Sequence, residues 1–139
     1  MQEKVIFDTN IYIGIFNLSL FKDEINVLNK VMFLAHPVLH ELWMGARGKK
    51  EIRHLVKFGS RFVKLGRLVQ PTPATQILIG RTCQKLRFSG KLDPKNPRGY
   101  SDVCIALLAR QIGATVVTRD VGDFKKINKV IDFRFRDVI

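Results

Sequence analysis

The sequence predicts an α/β fold with a mainly parallel central sheet, and two observations support this prediction. Short apolar runs alternate along the chain with longer stretches whose apolar residues recur at helical spacing. The clearest run, Val5-Ile6-Phe7, is continuously apolar, as expected of a parallel strand that is covered on both faces. The chain has 139 residues, of which 46% are hydrophobic, enough for one domain with a buried core. We therefore expect residues 1–139 to form a single domain.

Apolar spacing and helix-terminating residues define the elements predicted in the first half of the chain. Residues 23–30 carry apolar side chains at near-helical spacing. Pro37 suits the start of a helix, where its missing N–H is not needed, and a later glycine is expected to end that helix. In chain order we predict a strand over 5–7, a helical segment over 23–30, a strand over 33–35, a helix from His36 to Gly45 or Gly48, and an amphipathic segment over 49–66.

The second half of the chain is divided by glycines, prolines and one serine. Two glycines and two prolines predict a loop over 89–99. Ser101 is a suitable N-cap for the next helix, because its hydroxyl can accept a hydrogen bond from a free backbone N–H, and Gly113 is placed to end that helix. In chain order we predict a weak strand over 68–69, a helix over 73–88, a helix from Asp102 to Ile112, a strand over 115–118 and a last strand over 130–135.

Charge and cysteine content restrict the class of protein. The chain has 24 Lys and Arg against 12 Asp and Glu, and the resulting net charge of +12 favours a polyanionic partner, either nucleic acid or an acidic protein. No apolar run approaches the roughly 20 residues that cross a bilayer, and the N-terminus lacks the apolar stretch of a signal peptide. Cys83 and Cys104 lie in apolar segments without metal-ligand spacing, which predicts buried, reduced thiols. We expect a cytoplasmic protein with no membrane partner.

Acidic residues border or interrupt strongly apolar stretches at four places, namely Asp8, Glu41, Asp102 and Asp120. Asp8 and Asp120 lie just past predicted strands, whereas Glu41 and Asp102 share helical faces with apolar residues and should point inward. Because ligands of parallel sheets bind beyond the carboxyl ends of the strands, we expect the four carboxylates to converge there. The alternative is that Asp8 and Asp102 only cap helices and that Glu41 forms a buried ion pair.

Converging carboxylates must either take up protons or bind a cation. Mg²⁺ prefers oxygen ligands and commonly binds one or two carboxylates together with waters and substrate phosphates. The histidines His36, His40 and His54 match no zinc motif, and the sequence contains neither a Walker-type phosphate loop nor a nucleophile elbow. An acidic pocket in so basic a chain therefore predicts a metal site that acts on a polyanionic substrate.

Four segments, in this order, carry a resemblance to a known family: Val5-Ile6-Phe7-Asp8-Thr9-Asn10, His40-Glu41-Leu42-Trp43-Met44-Gly45, Ser101-Asp102-Val103-Cys104-Ile105-Ala106 and Val117-Thr118-Arg119-Asp120-Val121-Gly122-Asp123-Phe124. With them the sequence resembles the PIN-domain ribonucleases, and most closely the VapC-type toxins of VapBC toxin–antitoxin systems. The similarity spans almost the whole chain. Trp43, within the second segment, is interpreted as a core residue.

The resemblance implies a three-layer α/β/α sandwich and an endoribonuclease that requires Mg²⁺ or Mn²⁺. The family's metal-site positions are occupied here by Asp8, Glu41, Asp102 and Asp120. Asp123 either supports a second metal position or caps the next turn. Thr9, Asn10 and Thr118 match polar positions that orient the carboxylates by hydrogen bonds. Because Asp120 directly follows the strand-end pair and Asp123 is expected one turn further into a loop, we predict that Asp120 faces the pocket more closely.

The expected partners are an RNA substrate, a small antitoxin and, as a further possibility, a second copy of the chain. Four cations share one helical face at steps of four, four and three, namely Arg53, Lys57, Arg61 and Lys64. This face either binds the RNA backbone or is simply solvated. An antitoxin helix would fill a groove beside the Asp8 strand and place a cation on the carboxylates. The apolar residues expected to line that groove are Ile11, Ile13, Ile15, Phe16 and Phe21.

Two alternatives to a toxin stay open at this point. One is a non-catalytic RNA- or protein-binding module on the same fold, although the complete set of four acids argues against a loss of chemistry. The other is a free-standing RNA-processing nuclease that has no antitoxin.

Overall fold

The computed structural model describes residues 2–18, 29–90 and 92–138. Its strands are β1 (Glu3–Phe7), β2 (Lys30–Ala35), β3 (Leu68–Val69), β4 (Thr115–Thr118) and β5 (Arg134–Asp137). Its helices are α1 (Thr9–Leu18), α2 (His36–Met44), α3 (Lys49–Lys64), α4 (Pro73–Ser89), α5 (Pro97–Ile112) and α6 (Val121–Asn128). The predicted helical segment over 23–30 lies mostly outside the described residues, and Lys30 belongs to β2 instead.

All five strands run parallel, in the order β3-β2-β1-β4-β5. Helices cover the sheet to give the predicted three-layer α/β/α sandwich. The central strand β1 pairs with β2 on one side and β4 on the other, and Val5, Ile6 and Phe7 are almost completely buried. The continuous apolar run is explained by this position, since a central parallel strand has no solvent-facing side.

Helix α5 packs against both the sheet and its neighbouring helices, and residues 102–109 are buried without interruption. Asn96 caps α5 by accepting a hydrogen bond from the backbone N–H of Arg98 at 3.0 Å, and Pro97 occupies the first turn. The prediction of Ser101 as N-cap was therefore wrong, and the predicted loop over 89–99 ends in a helical turn. An Asn-Pro pair is itself a strong helix start, because asparagine caps and proline fits the first turn.

Other boundaries also differ from the predictions. The last strand begins at Arg134 rather than at residue 130, and α1 and α6 were not predicted. Trp43 is 39% exposed and is not a core residue, because the inward face of α2 is occupied by Val38 and Leu42. Both cysteines are free thiols, with Cys104 buried and Cys83 partly buried. No helix among the described residues is long and apolar enough to cross a membrane.

Candidate functional site

Asp8 lies at the carboxyl end of β1 and is 6% exposed. Its carboxylate accepts hydrogen bonds from the Thr118 hydroxyl at 2.8 Å, the Thr9 backbone N–H at 2.8 Å and the Asn10 side-chain amide at 3.3 Å. Burial raises the pKa of Asp8 above its usual range, although the hydrogen bonds from Thr118 and Thr9 act in the opposite direction. The carboxylate is therefore firmly oriented but costly to ionise.

Sheet register brings these groups together. Phe7 pairs with Val117 between β1 and β4, and the Asp8 N–H continues the ladder to the Val117 carbonyl at 2.9 Å. Asp8 and Thr118 consequently leave the sheet side by side. Asn10 joins α1 to the end of β4, because its amide donates to the Thr118 hydroxyl at 3.4 Å and its carbonyl accepts from the Arg119 N–H at 3.4 Å.

Asp102 reaches the same end of the sheet from α5 and is also 6% exposed. Within the described part of the chain, no group donates a hydrogen bond to its carboxylate. Its pKa is raised to about 8, mainly by burial and next by the charge of Asp8, with Asp123 and Glu41 adding to the effect and Arg98 opposing it. The carboxylates of Asp8, Glu41 and Asp123 thus all act on Asp102 at the carboxyl end of the sheet.

Glu41 is half-buried on α2 and accepts a hydrogen bond from the Ser101 hydroxyl at 2.5 Å. Ser101 precedes Asp102, so this bond connects α2 to α5 beside the acidic residues. The serine hydroxyl that was expected to cap a helix is therefore used to orient a carboxylate.

Asp120 and Asp123 differ in exposure, and Asp120, which was predicted to face the pocket more closely, is the more exposed of the two. Asp120 has a side chain that is 49% exposed and pairs with Arg98 at 3.7 Å. Asp123 lies in the first turn of α6 rather than in a loop, its side chain is 28% exposed, and its charge helps to raise the pKa of Asp102. Asp123 also pairs with Lys126 at 3.6 Å. Helix α6 begins at Val121, soon after the end of β4 at Thr118, and its first turn holds Asp123.

Arg98 was missed from the sequence because it lies in the segment predicted as a loop. It stands in the first turn of α5, pairs with Asp120, and lowers the pKa values of both Asp8 and Asp102. Recognition of Asn96-Pro97 as a helix start would have placed this cation one turn before Asp102.

The donor set fits a hard divalent cation. The side chains that meet at the end of the sheet offer carboxylate and hydroxyl oxygens as metal ligands. Among the described residues, the buried hydroxyl of Thr9 has no hydrogen-bond partner. In the same residues, however, no three His, Cys, Asp or Glu side chains stand close enough to form a ready-made metal cage. Oxygen donors are the ligands that Mg²⁺ prefers, whereas structural zinc sites use Cys and His.

Two further surfaces concern the predicted RNA-binding face and the predicted groove. Helix α3 exposes Arg53, Lys57, Arg61 and Lys64. A groove of about 690 Å³ lies between α1, α2 and α3. Its apolar lining includes Ile13, Ile15 and Phe16, and Glu41 also borders it. Ile11, by contrast, is completely buried and cannot line a groove, which corrects that part of the prediction, and Phe21 lies outside the described residues.

Several solved structures share this fold. VapBC-1 from nontypeable Haemophilus influenzae matches with a TM-score of 0.75 and 20% identity, over 97% of this chain and 98% of that chain. FitAcB from Neisseria gonorrhoeae matches with a TM-score of 0.71 and 20% identity, over 96% and 97% of the two chains. DNA-bound VapBC from Salmonella typhimurium matches with a TM-score of 0.69 and 24% identity, over 99% and 100%.

Likeness at these identities establishes the fold, and the family follows from the sequence itself. No curated protein sequence matches the chain significantly. The family model for the PIN domain, however, matches residues 5–130, a range that includes every acidic residue of the site. The chain therefore belongs to the PIN domain family.

Proposed function

We propose that this PIN domain is a metal-dependent endoribonuclease and the toxin of a toxin–antitoxin pair. The observation that carries the proposal is the pair of buried carboxylates, Asp8 and Asp102, each with a raised pKa, at the carboxyl end of a parallel sheet. Repulsion between two nearby carboxylates is relieved by a bound cation. The net charge of +12 suits a polyanionic substrate.

Asp8 and Asp102 would hold Mg²⁺ or Mn²⁺, with Glu41 acting directly or through a water. Asp120 and Asp123 would complete the acidic surroundings. Bound there, a divalent ion supplies an activated water and stabilises the leaving oxygen of the phosphodiester.

The chain's own residues would position the ligands and the substrate. Thr118, Thr9 and Asn10 fix the orientation of Asp8, and Ser101 orients Glu41. Arg98 has an exposed side chain beside the acids and would bind a phosphate of the backbone. The exposed cations of α3 would add sequence-independent affinity for RNA, with a merely solvated face as the alternative.

The decisive experiment compares Asp8→Asn with the wild-type chain. Asparagine keeps the shape of Asp8 but removes its negative charge, so we expect cleavage of RNA in Mg²⁺ or Mn²⁺ to fall at least about a thousandfold while the fold is kept. Wild-type cleavage should also stop in EDTA. Asp132→Asn changes an exposed carboxylate ahead of β5, away from the acidic site, and is the matched control. A folded Asp8→Asn chain that cleaves normally would falsify the metal-site proposal.

The antitoxin partner is supported by the groove between α1, α2 and α3. Ile13 is 46% and Phe16 37% exposed, an apolar surface suited to a helix. Glu41 at its border connects the groove to the acids, so an Arg or Lys on that helix could reach them. The structurally similar VapBC and FitAB proteins are named as two-component complexes, which supports an assembly of the same kind here.

Co-expression with the product of the adjacent upstream gene tests this partner. We expect a stable complex whose inhibition of the nuclease weakens as Mg²⁺ is raised, because the antitoxin cation and the metal compete for the same carboxylates. Ile13→Asp should disrupt the complex, whereas Ile77→Asp on the exposed side of α4 should not. Absence of a complex would favour a free-standing nuclease.

Two further expectations, a cytoplasmic location and a homodimer, stay predictions.

A further inference from the structure

A pocket of about 390 Å³ opens beside the acidic site, between α2 and the first turns of α5. Helix α2 lines it with His36, His40 and Met44, and α5 lines it with Arg98 and Tyr100. The volume lies within the range of sites that bind small molecules or parts of larger ligands. None of its aromatic residues has a part in the metal site described above.

The walls of this pocket offer flat and apolar surfaces to a ligand. The His36 and His40 rings lie with their centroids 5.5 Å apart on the α2 wall. On the opposite wall Tyr100 is 49% exposed, and Met44 at the rim is 78% exposed. Aromatic rings that are left open to solvent are suited to stacking against a planar ligand, and a nucleobase is planar on both faces.

The pocket is continuous with the acidic site. Glu41 borders both, and its hydrogen bond to the Ser101 hydroxyl at 2.5 Å ties the two walls together. Tyr100 stands two residues before Asp102 on α5. Arg98, also on α5, lines the pocket with a cation that is paired with Asp120 at 3.7 Å, and a guanidinium of this kind can bind a phosphate. A planar apolar cleft with a cation at its mouth complements a nucleotide.

We propose that this pocket binds one base of the RNA substrate, directly beside the phosphodiester that is cleaved. The inference rests on the proposed nuclease function and adds to it the recognition of one flanking nucleotide. Only an unstacked base can enter a cleft between two helices, so the pocket selects single-stranded RNA over a duplex. Tyr100 is the stacking residue, and Arg98 positions the phosphate.

The test combines a protein change with a substrate change. A synthetic RNA with one mapped cleavage site is prepared intact and with an abasic nucleotide at each of the flanking positions in turn. We expect the abasic change to lower wild-type kcat/KM about tenfold at one flanking position. Tyr100→Ala should lower kcat/KM on intact RNA by a similar factor and cause no further loss on that abasic RNA. Tyr100→Phe, which keeps the ring, should recover most of the loss.

Phe88→Ala is the matched control, because Phe88 is an aromatic residue on α4 that is 83% exposed and does not line the pocket. If Tyr100→Ala and the abasic change lower kcat/KM independently, so that their effects multiply at every flanking position, the base-binding proposal is overturned. The nuclease proposal would be unaffected by that result. The same holds if Tyr100→Ala weakens only a complex with the antitoxin. If wild-type protein cleaves no RNA, the nuclease proposal fails, and the base pocket fails with it. Thermal unfolding of each variant verifies that it is folded.

Discussion

Asp8 and Asp102 are equally buried at one end of the sheet, yet their surroundings differ. Asp8, on the strand side of the site, accepts three hydrogen bonds, from Thr118, Thr9 and Asn10. Asp102, on the helix side, accepts none from the described residues, and its pKa is raised to about 8. The strand side therefore offsets part of the cost of its negative charge with hydrogen bonds, whereas on the helix side the raised pKa is opposed by the charge of Arg98.

Under the proposed function, this difference would let a parallel sheet prepare a cation site without a complete cage. The backbone register of β1 and β4 holds Asp8 and its donor Thr118 side by side. If the proposed cation binds there, Asp102, whose ionisation Arg98 favours only in part, would supply much of the driving force, since desolvation and repulsion would both be relieved by the cation.

Among the changes that leave all the acids in place, the largest effect is expected when the strand side loses its main donor. Thr118→Val removes the hydroxyl that donates to Asp8 and that also accepts from the Asp120 N–H at 3.0 Å. Loss of an orienting partner of a metal ligand typically costs 10- to 100-fold in metal affinity or activity. We expect a loss in that range, measured as the Mg²⁺ dependence of cleavage.

Thr82→Val is a suitable control, because Thr82 is 2% exposed on α4, away from the acids. Thr118→Ser keeps a hydroxyl and should retain most of the activity. An unchanged Mg²⁺ dependence in Thr118→Val would mean that the hydrogen bonds around Asp8 do not prepare the site.

The pH dependence of stability should separate the two carboxylates next. Asp102 has a pKa of about 8 in the folded chain and about 3.8 as its ordinary value. Between these pH values the folded state binds more protons than the unfolded state, so stability falls as pH rises from about 4 to about 8. Asp102→Asn removes this fall in stability, because asparagine does not ionise. We expect the Tm of the variant in EDTA at pH 8.5 to exceed that of the wild type by about 5 °C or more.

At pH 4 the same substitution should change Tm little, because Asp102 is then largely protonated in the folded chain. Asp8→Asn should give a smaller gain at pH 8.5, since three donors already stabilise that charge. Equal gains for Asp8→Asn and Asp102→Asn would contradict the difference between the strand side and the helix side.

The smallest difference is expected between the two acids that follow β4. Asp123 adds to the negative potential at Asp102, whereas Asp120 is half-exposed and paired with Arg98. We therefore expect Asp123→Asn to weaken Mg²⁺-dependent cleavage several-fold and Asp120→Asn to weaken it less. Measurement of both variants at equal Mg²⁺ concentrations tests this order, and a greater loss in Asp120→Asn would restore the order predicted from the sequence.

Local patterns were sufficient for the strands and for most of the acids. The run Val5-Ile6-Phe7 identified the central strand, and carboxylates next to apolar segments drew attention to Asp8, Glu41 and Asp102. Helix starts were less certain, because Ser101 and Asn96 are both acceptable N-caps. Pro97 directly after Asn96 favours Asn96, whereas the contact of Ser101 with Glu41, a distant part of the chain, is decided by tertiary structure.

The sequence by itself determined the alternation of strands and helices, the basic charge and the identity of the acidic residues. These properties depend on neighbouring residues and on composition. Tertiary structure alone decided that the charge of Asp123 helps to raise the pKa of Asp102, that Arg98 stands beside the acids, and that Asp102 has no hydrogen-bond donor among the described residues. Each of these depends on which helix faces which strand, and a hydrogen bond or a charge interaction acts only over the few ångströms that packing brings together.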